Sequence, residues 1–357
     1  MSSKEASIST NAHKIHLQSP SPCTGCVVPT IDIGPYLSDP TSSEARQLID
    51  TIRAACVKTG FFQITGHGVS RDLQDSAIDA AKEFFALPIE EKEKLDIEKN
   101  IGFRGYDKIG TQSYSASSAP DLKESFFIGT DISIDDPRVQ AGRILTGPNV
   151  WPDDSILHKS WFREPVEMYY AAVRELGSRV MEMIGQSLTS NPEQFHSFLS
   201  NQPAVPLRLL HYPKASLEST ERKIDQFGCG AHTDFGAITL LLQDQNAGLQ
   251  LFSPETNEWF TIPPRSDTYV VNVGDMLSSI TGGKYKSSWH RVLKQTQQDR
   301  YSIALFMHGN LDFVLNPING SSWKEPLTVE QYLLQRIMST YSKDRVTKVN
   351  AASAGLG

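Results

Sequence analysis

The sequence is poor in cysteine, in long apolar runs and in basic clusters, and each shortage narrows what the protein can be. Four cysteines among 357 residues are typical of a protein of the reducing cytosol. The longest apolar runs, such as residues 237–242, are far too short to cross a bilayer. Acidic residues (41) outnumber basic ones (34), for a net charge of −7, and no basic run is interleaved with aromatics. We therefore expect neither a nucleic-acid partner nor a membrane partner.

The first segment of the chain carries no sign of a fold. Residues 1–22 are polar and rich in serine and lack the apolar stretch of a secretory signal. We therefore expect a disordered or extended tail over residues 1–27 and a cytoplasmic protein. Cys23 and Cys26 form a C-x-x-C in this tail. A zinc site would need a second pair at similar spacing, and a redox motif would lie between a strand and a helix, so we interpret them as two free thiols.

Residues 28–204 are predicted to be mostly helical. Helical spacing of apolar residues predicts helices over 43–58, after Ser70, over 89–99, over 166–184 and from 191 to about 200. A last helix is expected over 328–341. Residues 102–129 are expected to be mostly loop, with aromatic and charged side chains that could form the rim of a pocket: Phe103, Arg104 and Phe127.

After Pro206 the pattern changes to short strands separated by turn signals. Strands are predicted over 207–212, 237–243, 249–252, 259–262, 269–273, 288–294 and 300–308. This spacing is typical of a sandwich or barrel rather than a parallel sheet. We find neither an internal repeat nor a linker, so residues 28–345 are expected to form a single catalytic domain, with its β core over 205–320.

His232 and Asp234 lie two positions apart in a stretch that reads as a strand followed by a turn. Side chains at this spacing share one face of a strand. An imidazole and a carboxylate together suit a divalent first-row metal, above all iron when a third ligand leaves coordination positions open. A lone His-x-Asp is also typical of a surface pair or of a satisfied core histidine. A third ligand is therefore needed to support a metal site.

His290 supplies the candidate third ligand. It is followed by a polar turn and by Arg300 and Ser302. If this segment is a hairpin centred near residue 296, His290 pairs with Ser302, and Arg300 and Ser302 share a face. A guanidinium binds a carboxylate through two parallel hydrogen bonds, and a hydroxyl can add a third. This arrangement favours an anionic ligand whose other end reaches the metal.

With these residues the chain resembles the 2-oxoglutarate/Fe(II)-dependent dioxygenases of the isopenicillin N synthase-like family. The matching pieces follow the family's order and span about residues 28–341; they are 28–33, 60–69, 121–127, 212–213, 232–234, 272–275, 290–292 and 300–302. The combination of His-x-Asp, a distal histidine and Arg-x-Ser is specific, although each part alone is not. The resemblance implies a mainly β fold with flanking helices around a double-stranded β-helix, or jelly-roll, core.

The resemblance also implies a role for individual residues. His232, Asp234 and His290 would bind Fe(II), while Arg300 and Ser302 would hold the distal carboxylate of 2-oxoglutarate with Tyr212 as a further contact. The sequence departs from the plant members at Leu210, where they usually carry asparagine. We expect the neighbouring His211 to point away from the pocket, since Tyr212 points in. Further pocket candidates are Phe235, Phe306 and Tyr341, each of which could equally be core.

The implied reaction consumes O2 and 2-oxoglutarate, releases succinate and CO2, and oxidises a C–H bond of a small organic molecule by hydroxylation, desaturation or ring formation. We expect a monomeric enzyme, with a specialised metabolite as its substrate. One alternative is an iron-dependent oxidase of the same fold that does not consume 2-oxoglutarate. Another is a metal-stabilised binding protein without turnover, against which the Arg-x-Ser pair argues, because a structural metal needs no anion clamp.

Overall fold

The structure of the protein is a computed structural model that describes residues 28–114, 119–188, 192–214, 226–295, 297–317, 325–342 and 345. The tail expected over residues 1–27, with Cys23 and Cys26, lies outside the described residues. Cys56 and Cys229 are buried free thiols. None of the described helices is long and apolar enough to span a membrane.

Strands dominate the second half of the chain. They are β1 Thr30–Asp32, β2 Phe61–Thr65, β3 Gly105–Asp107, β4 Glu124–Ile128, β5 Leu207–Tyr212, β6 Cys229–His232, β7 Ile238–Gln243, β8 Leu249–Ser253, β9 Glu258–Thr261, β10 Tyr269–Val273, β11 His290–Val292 and β12 Arg300–Met307. The larger sheet has the order β1-β2-β10-β7-β12-β5-β4-β3, and the smaller has the order β6-β11-β8-β9. Neighbouring strands are antiparallel except for β1 and β2.

The helices are α1 Gly34–Ser38, α2 Ser43–Lys58, α3 Arg71–Phe85, α4 Ile89–Glu93, α5 Pro137–Gln140, α6 Arg163–Ser187, α7 Pro192–Leu199, α8 Asp275–Ile280 and α9 Val329–Thr340. Local sequence sets several of their ends. The Ser70 hydroxyl accepts the Leu73 N–H at the start of α3. At α9 the side chain of Thr328 and that of Gln331 each accept the other residue's backbone N–H, a capping box.

The alternation of side chains along β5 and β12 separates the hydrophobic core from a cavity. Leu207, Leu209, Ile303 and Leu305 are buried in the main hydrophobic core, and α3 packs against both strands. The residues between them point to the opposite face of the sheet. On that face lies a cavity, lined by both sheets, that contains the candidate site.

The prediction of a mainly β protein with flanking helices is confirmed. α2 begins and ends where the periodicity placed it, and β5 and β10 have their predicted bounds. One local prediction is incomplete and another is wrong. Residues 102–129 contain β3 and β4, which extend the larger sheet beyond β5. The helix predicted over 89–99 ends at Glu93, because the Asp96 backbone leaves the helical conformation and its carboxylate caps a separate 3₁₀ turn at Ile97–Lys99.

The predicted hairpin between His290 and Ser302 is also wrong. β11 pairs on one side with β6 and on the other with β8, so no free edge remains for β12. β12 lies in the other sheet between β5 and β7, where Ser302 pairs with Leu210 and Gln243. The polar segment between the two strands is therefore a crossover from one sheet to the other.

Candidate active site

His232, Asp234 and His290 come together at one end of the smaller sheet. His232 ends β6 and pairs across the strands with His290, the first residue of β11. Asp234 lies beyond β6, in the turn that leads to β7. Its Oδ1 is 3.6 Å from Nε2 of His232 and 3.7 Å from Nε2 of His290. The three groups therefore converge through a strand pairing and a turn, and not, as predicted for Asp234, through one shared strand face.

Backbone carbonyls orient both imidazoles. Nδ1 of His232 lies 2.8 Å from the Gly230 carbonyl oxygen, and Nδ1 of His290 lies 3.1 Å from the Ser288 carbonyl oxygen. A carbonyl can only accept, so Nδ1 carries the proton in each ring. The Nε2 lone pair of each histidine is thereby left for a metal, in the arrangement that outer hydrogen bonds give to metal-binding histidines.

The carboxylate of Asp234 is oriented in the same way. Its Oδ2 accepts hydrogen bonds from Nδ2 of Asn272 at 2.7 Å and from the hydroxyl of Thr239. Its Oδ1 is the oxygen that faces the two histidines. Two imidazole nitrogens and one carboxylate oxygen form the donor set that non-haem iron(II) oxygenases use, with further coordination positions left open. These residues therefore fit an Fe(II) ion.

The surroundings hold all three groups in the protonation state that binds a metal. Burial lowers the pKa of His232, and burial together with the neighbouring His232 lowers the pKa of His290 to about 4. Burial would raise the pKa of Asp234, but the two histidines and the hydrogen bonds from Asn272 and Thr239 outweigh it and keep that pKa below its usual value. Near neutral pH the imidazoles are neutral and the carboxylate is charged.

Arg300 and Ser302 face the same cavity from β12, and Tyr212 faces it from β5, where it pairs with Arg300. Arg300 is fully buried. Its guanidinium donates to the Asn246 carbonyl at 3.1 Å and to Oε1 of Gln243 at 2.9 Å. It also lies 3.4 Å from the Ser302 hydroxyl and packs 4.9 Å from the centre of the Tyr212 ring. Among the described residues no carboxylate forms an ion pair with Arg300.

The remaining pocket candidates fall into two groups. Phe103, Phe127, Phe235, Phe306 and Tyr341 line the cavity that contains the metal-ligand candidates. Arg104 does not line it, which corrects the prediction for this residue. Although it follows Phe103, its buried side chain turns away and donates to the carbonyls of Gly102 and Leu145, and burial lowers its pKa to about 10. Arg104 therefore stabilises the conformation of these loops.

The two residues before Tyr212 lie as the alternation predicts. Leu210 lines the cavity, so a hydrocarbon occupies the position where plant members carry an amide. His211 points to the opposite face, where its Nδ1 lies 2.7 Å from Oε1 of Glu124 and its ring stacks on Tyr301.

Sequence reasoning missed several residues of the site. Tyr114 stacks on the ring of His232 with centroids 4.2 Å apart, and Phe61 packs edge-on against His290 at 5.4 Å. Further polar side chains line the cavity: Gln112, Lys123, Arg208, His308 and Thr340. Arg208 could have been found from the sequence, because it alternates with Leu210 and Tyr212. Tyr114 lies in a loop without periodicity and gave no signal.

Comparisons with known proteins show the family to which the chain belongs. Two family models match: the N-terminal domain of non-haem dioxygenases in morphine synthesis at residues 28–154, and the 2OG-Fe(II) oxygenase superfamily at residues 204–309. The 2-oxoglutarate-dependent dioxygenase citB of Monascus ruber is 50% identical over 319 residues, covering 88% of this chain and 96% of the relative. The clavatol oxidase claD of Penicillium crustosum is 42% identical over 328 residues, covering 88% and 97%.

Solved structures give the same result. A full-length Neurospora crassa protein in complex with alpha-KG and thymine has a TM-score of 0.74 and 28% sequence identity, and the match covers 88% of this chain and 97% of that one. The expected jelly-roll core is confirmed. The chain uses Fe(II) and 2-oxoglutarate to oxidise a small molecule. By its family matches and its identity to these relatives, it belongs to the 2-oxoglutarate/Fe(II)-dependent dioxygenases of the isopenicillin N synthase-like class.

Proposed function

We propose that His232, Asp234 and His290 hold Fe(II) and that Arg300, with Ser302 and Tyr212, holds the distal carboxylate of 2-oxoglutarate. The substrate would occupy the adjoining part of the cavity, between the phenylalanines that line it. The proposal is supported most directly by the burial of Arg300 and by its lack of an ion-pair partner among the described residues. Its guanidinium is buried beside the metal-ligand candidates, and no described carboxylate pairs with it.

A buried guanidinium without a counter-ion is costly, because desolvation of a charge must be compensated by a partner. Neutral acceptors on Asn246 and Gln243 hold Arg300 in place but do not neutralise it. A carboxylate of the cosubstrate would supply the missing charge and could accept two parallel hydrogen bonds. The Ser302 hydroxyl, 3.4 Å from the guanidinium, would add a third donor.

The protein contributes orientation and exclusion of water. Bound Fe(II) would supply the oxidising chemistry that couples decarboxylation of 2-oxoglutarate to oxidation of a C–H bond. Asn272 and Thr239 fix the carboxylate of Asp234, and carbonyls fix both imidazoles, so the ligands need little rearrangement. The apolar lining of the cavity keeps water away from the reacting atoms.

We further propose that the substrate is a small specialised metabolite. One relative is named clavatol oxidase, and several other similar fungal proteins are named 2-oxoglutarate-dependent dioxygenases. Hydroxylation, desaturation and ring formation are all open outcomes at this site. We also propose that residues 28–345 work as one catalytic domain of a monomeric, cytoplasmic enzyme.

The test compares O2 uptake with succinate release. The protein is loaded with Fe(II) and 2-oxoglutarate, and fungal metabolite fractions are screened for those that accelerate both. One succinate released per O2 consumed supports the proposal. Consumption of O2 without succinate favours the oxidase alternative, and absence of both favours a binding protein. His158→Ala, which alters an exposed histidine remote from the site, is the control for the effect of His290→Ala.

A further inference from the structure

Two polar side chains in the cavity wall, Arg208 and His308, carry hydrogen-bond donors that the described protein leaves unused. We propose that these residues recognise the substrate, and that the substrate is a flat apolar ring compound with an oxygen acceptor at each of two opposite edges. This inference rests on the proposed function, since it assigns the substrate class of the same cavity.

Arg208 lies on the cavity face of β5, and its side chain is almost completely buried. The guanidinium donates to the Ser125 hydroxyl at 2.9 Å, to Oε1 of Gln112 at 3.1 Å and to Oδ2 of Asp107 at 3.2 Å. A guanidinium has five N–H bonds, so two remain without a partner among the described residues. One lies on each terminal nitrogen, so both terminal nitrogens can still donate to a ligand.

The position of Arg208 is not explained by the need to neutralise Asp107. Oδ1 of Asp107 already accepts a hydrogen bond from Arg345 at 2.9 Å, and its Oδ2 accepts one from the Tyr341 hydroxyl at 2.9 Å. Asp107 would therefore remain paired if Arg208 were replaced. Arg208 packs 4.5 Å above the ring of Phe127, another residue of the cavity wall, which holds its plane in a fixed orientation.

His308 lines the same cavity with its ring stacked on Phe306, the two centroids 5.8 Å apart and the planes at 11°. Its Nδ1 is buried, has no hydrogen-bond partner among the described residues, and lies against the backbone of Gly236, where an added Cβ would be 2.5 Å away. A proton on Nδ1 would be a buried donor without an acceptor, which is rarer than an unused lone pair, so we assign the proton of the neutral ring to Nε2. Nε2–H is then a donor for a ligand in the cavity.

The spacing of the two residues defines the shape of the ligand. Arg208 pairs with Ala304, and His308 lies four residues after Ala304, just beyond the end of β12, which places the Cα atom of His308 about 13 Å from that of Ala304. The ring of Phe306 lies between them. The rest of this wall is mostly apolar, with Phe103, Phe127, Leu145, Leu333 and Ile337. A flat ring that packs on Phe306 would present one acceptor to each donor.

The experiment measures binding by isothermal titration to the full-length protein with Fe(II) and 2-oxoglutarate under anaerobic conditions. The probes are 1,4-diacetylbenzene with two acceptors, acetophenone with one, isopropylbenzene with none, and 4-acetylbenzoate with one carbonyl replaced by a carboxylate. Each is titrated into wild type, Arg208→Met, Arg208→Lys, His308→Phe and His308→Gln. His158→Phe and Arg143→Met, which alter side chains outside this cavity, are the matched controls.

Wild type is expected to bind 1,4-diacetylbenzene most tightly and isopropylbenzene most weakly. His308→Phe should weaken the two-acceptor probe about five- to tenfold, as the loss of one neutral hydrogen bond does, and Arg208→Met should weaken it about ten- to a hundredfold, because the lost bonds come from a charged group. Both variants should leave the affinity for isopropylbenzene unchanged. His308→Gln, which restores an N–H, should recover part of the loss. A stronger effect of Arg208→Met on 4-acetylbenzoate than on the diketone would identify the acceptor at Arg208 as a carboxylate; an equal effect would identify it as a carbonyl.

The inference is overturned if Arg208→Met and His308→Phe bind 1,4-diacetylbenzene as tightly as wild type. It is also overturned if wild type shows no preference for this probe over isopropylbenzene, including the case in which neither binds. Titration with 2-oxoglutarate alone distinguishes a wrong substrate class from a failure of the proposed function. If wild type and both variants bind 2-oxoglutarate, only the substrate class is wrong; if wild type does not bind it, the proposed function itself fails.

Discussion

The side-chain nitrogen of Asn272 donates to Oδ2 of Asp234 at 2.7 Å, and this bond determines which carboxylate oxygen is left for a metal. Thr239 donates to the same oxygen. Oδ1 is thereby directed at His232 and His290. Two strands of the larger sheet, β10 and β7, thus orient a ligand that itself lies in a turn outside both sheets.

Replacement of Asn272 by leucine is expected to weaken Fe(II) binding while the protein stays folded. Loss of such an outer hydrogen bond costs about 10- to 100-fold in metal affinity, and it also removes one of the groups that keep the pKa of Asp234 low. Thr239→Val should act in the same direction. Anaerobic Fe(II) titration measures the effect, with thermal unfolding as the check on folding. Wild-type affinity in Asn272→Leu would show that the second oxygen needs no support.

His232→Ala, Asp234→Ala and His290→Ala are each expected to abolish turnover and to lower iron affinity, with the secondary structure retained. The large hydrophobic core is separate from these residues, so the fold should not depend on the metal. Iron content after dialysis and circular dichroism give the two readouts, and His158→Ala is the control. A variant that keeps both full activity and bound iron would remove that residue from the ligand set.

The stability of the protein should depend on pH through His308. Burial lowers its pKa to about 4 in the folded state, against about 6.5 in the unfolded chain. A histidine kept neutral by folding stabilises the protein above pH 6.5, and this contribution falls as the pH drops from 6.5 towards 4. Between pH 7.5 and pH 5 the loss amounts to roughly 2 kcal/mol from this group.

Urea unfolding of wild type and His308→Phe at the two pH values tests this expectation. The variant lacks the titrating group, so its free energy of unfolding should fall less than that of wild type between pH 7.5 and pH 5. His158→Phe should fall as much as wild type, because His158 is exposed. Equal losses in wild type and His308→Phe would mean that His308 is not buried as a neutral ring.

The sequence was most informative where a local signal and the fold point the same way. α2 and α9 each follow directly on a capping residue, Ser42 or Thr328, and both lie within a residue of their predicted bounds. The alternation along β5 correctly directs Leu210 inward and His211 outward. β3 and β4 were missed because they are short strands in a segment that mixes charge with aromatics, and they form through pairing with β5, which lies far away in the sequence.

The site shows that residues can be predicted to share a cavity through an incorrect geometry. Arg300 and Ser302 were placed beside His290 through a hairpin, but β11 and β12 belong to different sheets. The residues still line one cavity, because the two sheets face each other across it. Strand pairing between distant segments leaves no mark in local periodicity. For Arg104 the residue itself was predicted wrongly. Its position in a loop suggested that it lines the pocket, but its guanidinium donates hydrogen bonds to nearby backbone carbonyls instead.

Conservative substitutions of Arg300 and Ser302 should lower the affinity for 2-oxoglutarate by different amounts. Arg300→Lys should keep only part of the affinity for 2-oxoglutarate, because an ammonium group cannot form the two-pronged contact. Ser302→Ala should cost about 1 kcal/mol, or somewhat more for a bond to a charged group. Affinity is measured by anaerobic titration, with Fe(II) binding as the control that should stay unchanged. An unaltered affinity in Arg300→Lys would argue against a bidentate contact.

The most direct test of the account is a titration of 2-oxoglutarate into the anaerobic Fe(II) protein, followed through the metal-to-ligand absorption band, for wild type and Arg300→Ala. Removal of one partner from a buried charge pair costs roughly 2–5 kcal/mol, which is about tens- to thousands-fold in affinity at 1.4 kcal/mol per decade. We predict a band in wild type and a loss of affinity on this scale in the variant, with iron binding nearly intact. Equal affinity in the two proteins, or the absence of any band in wild type, would contradict the proposed site.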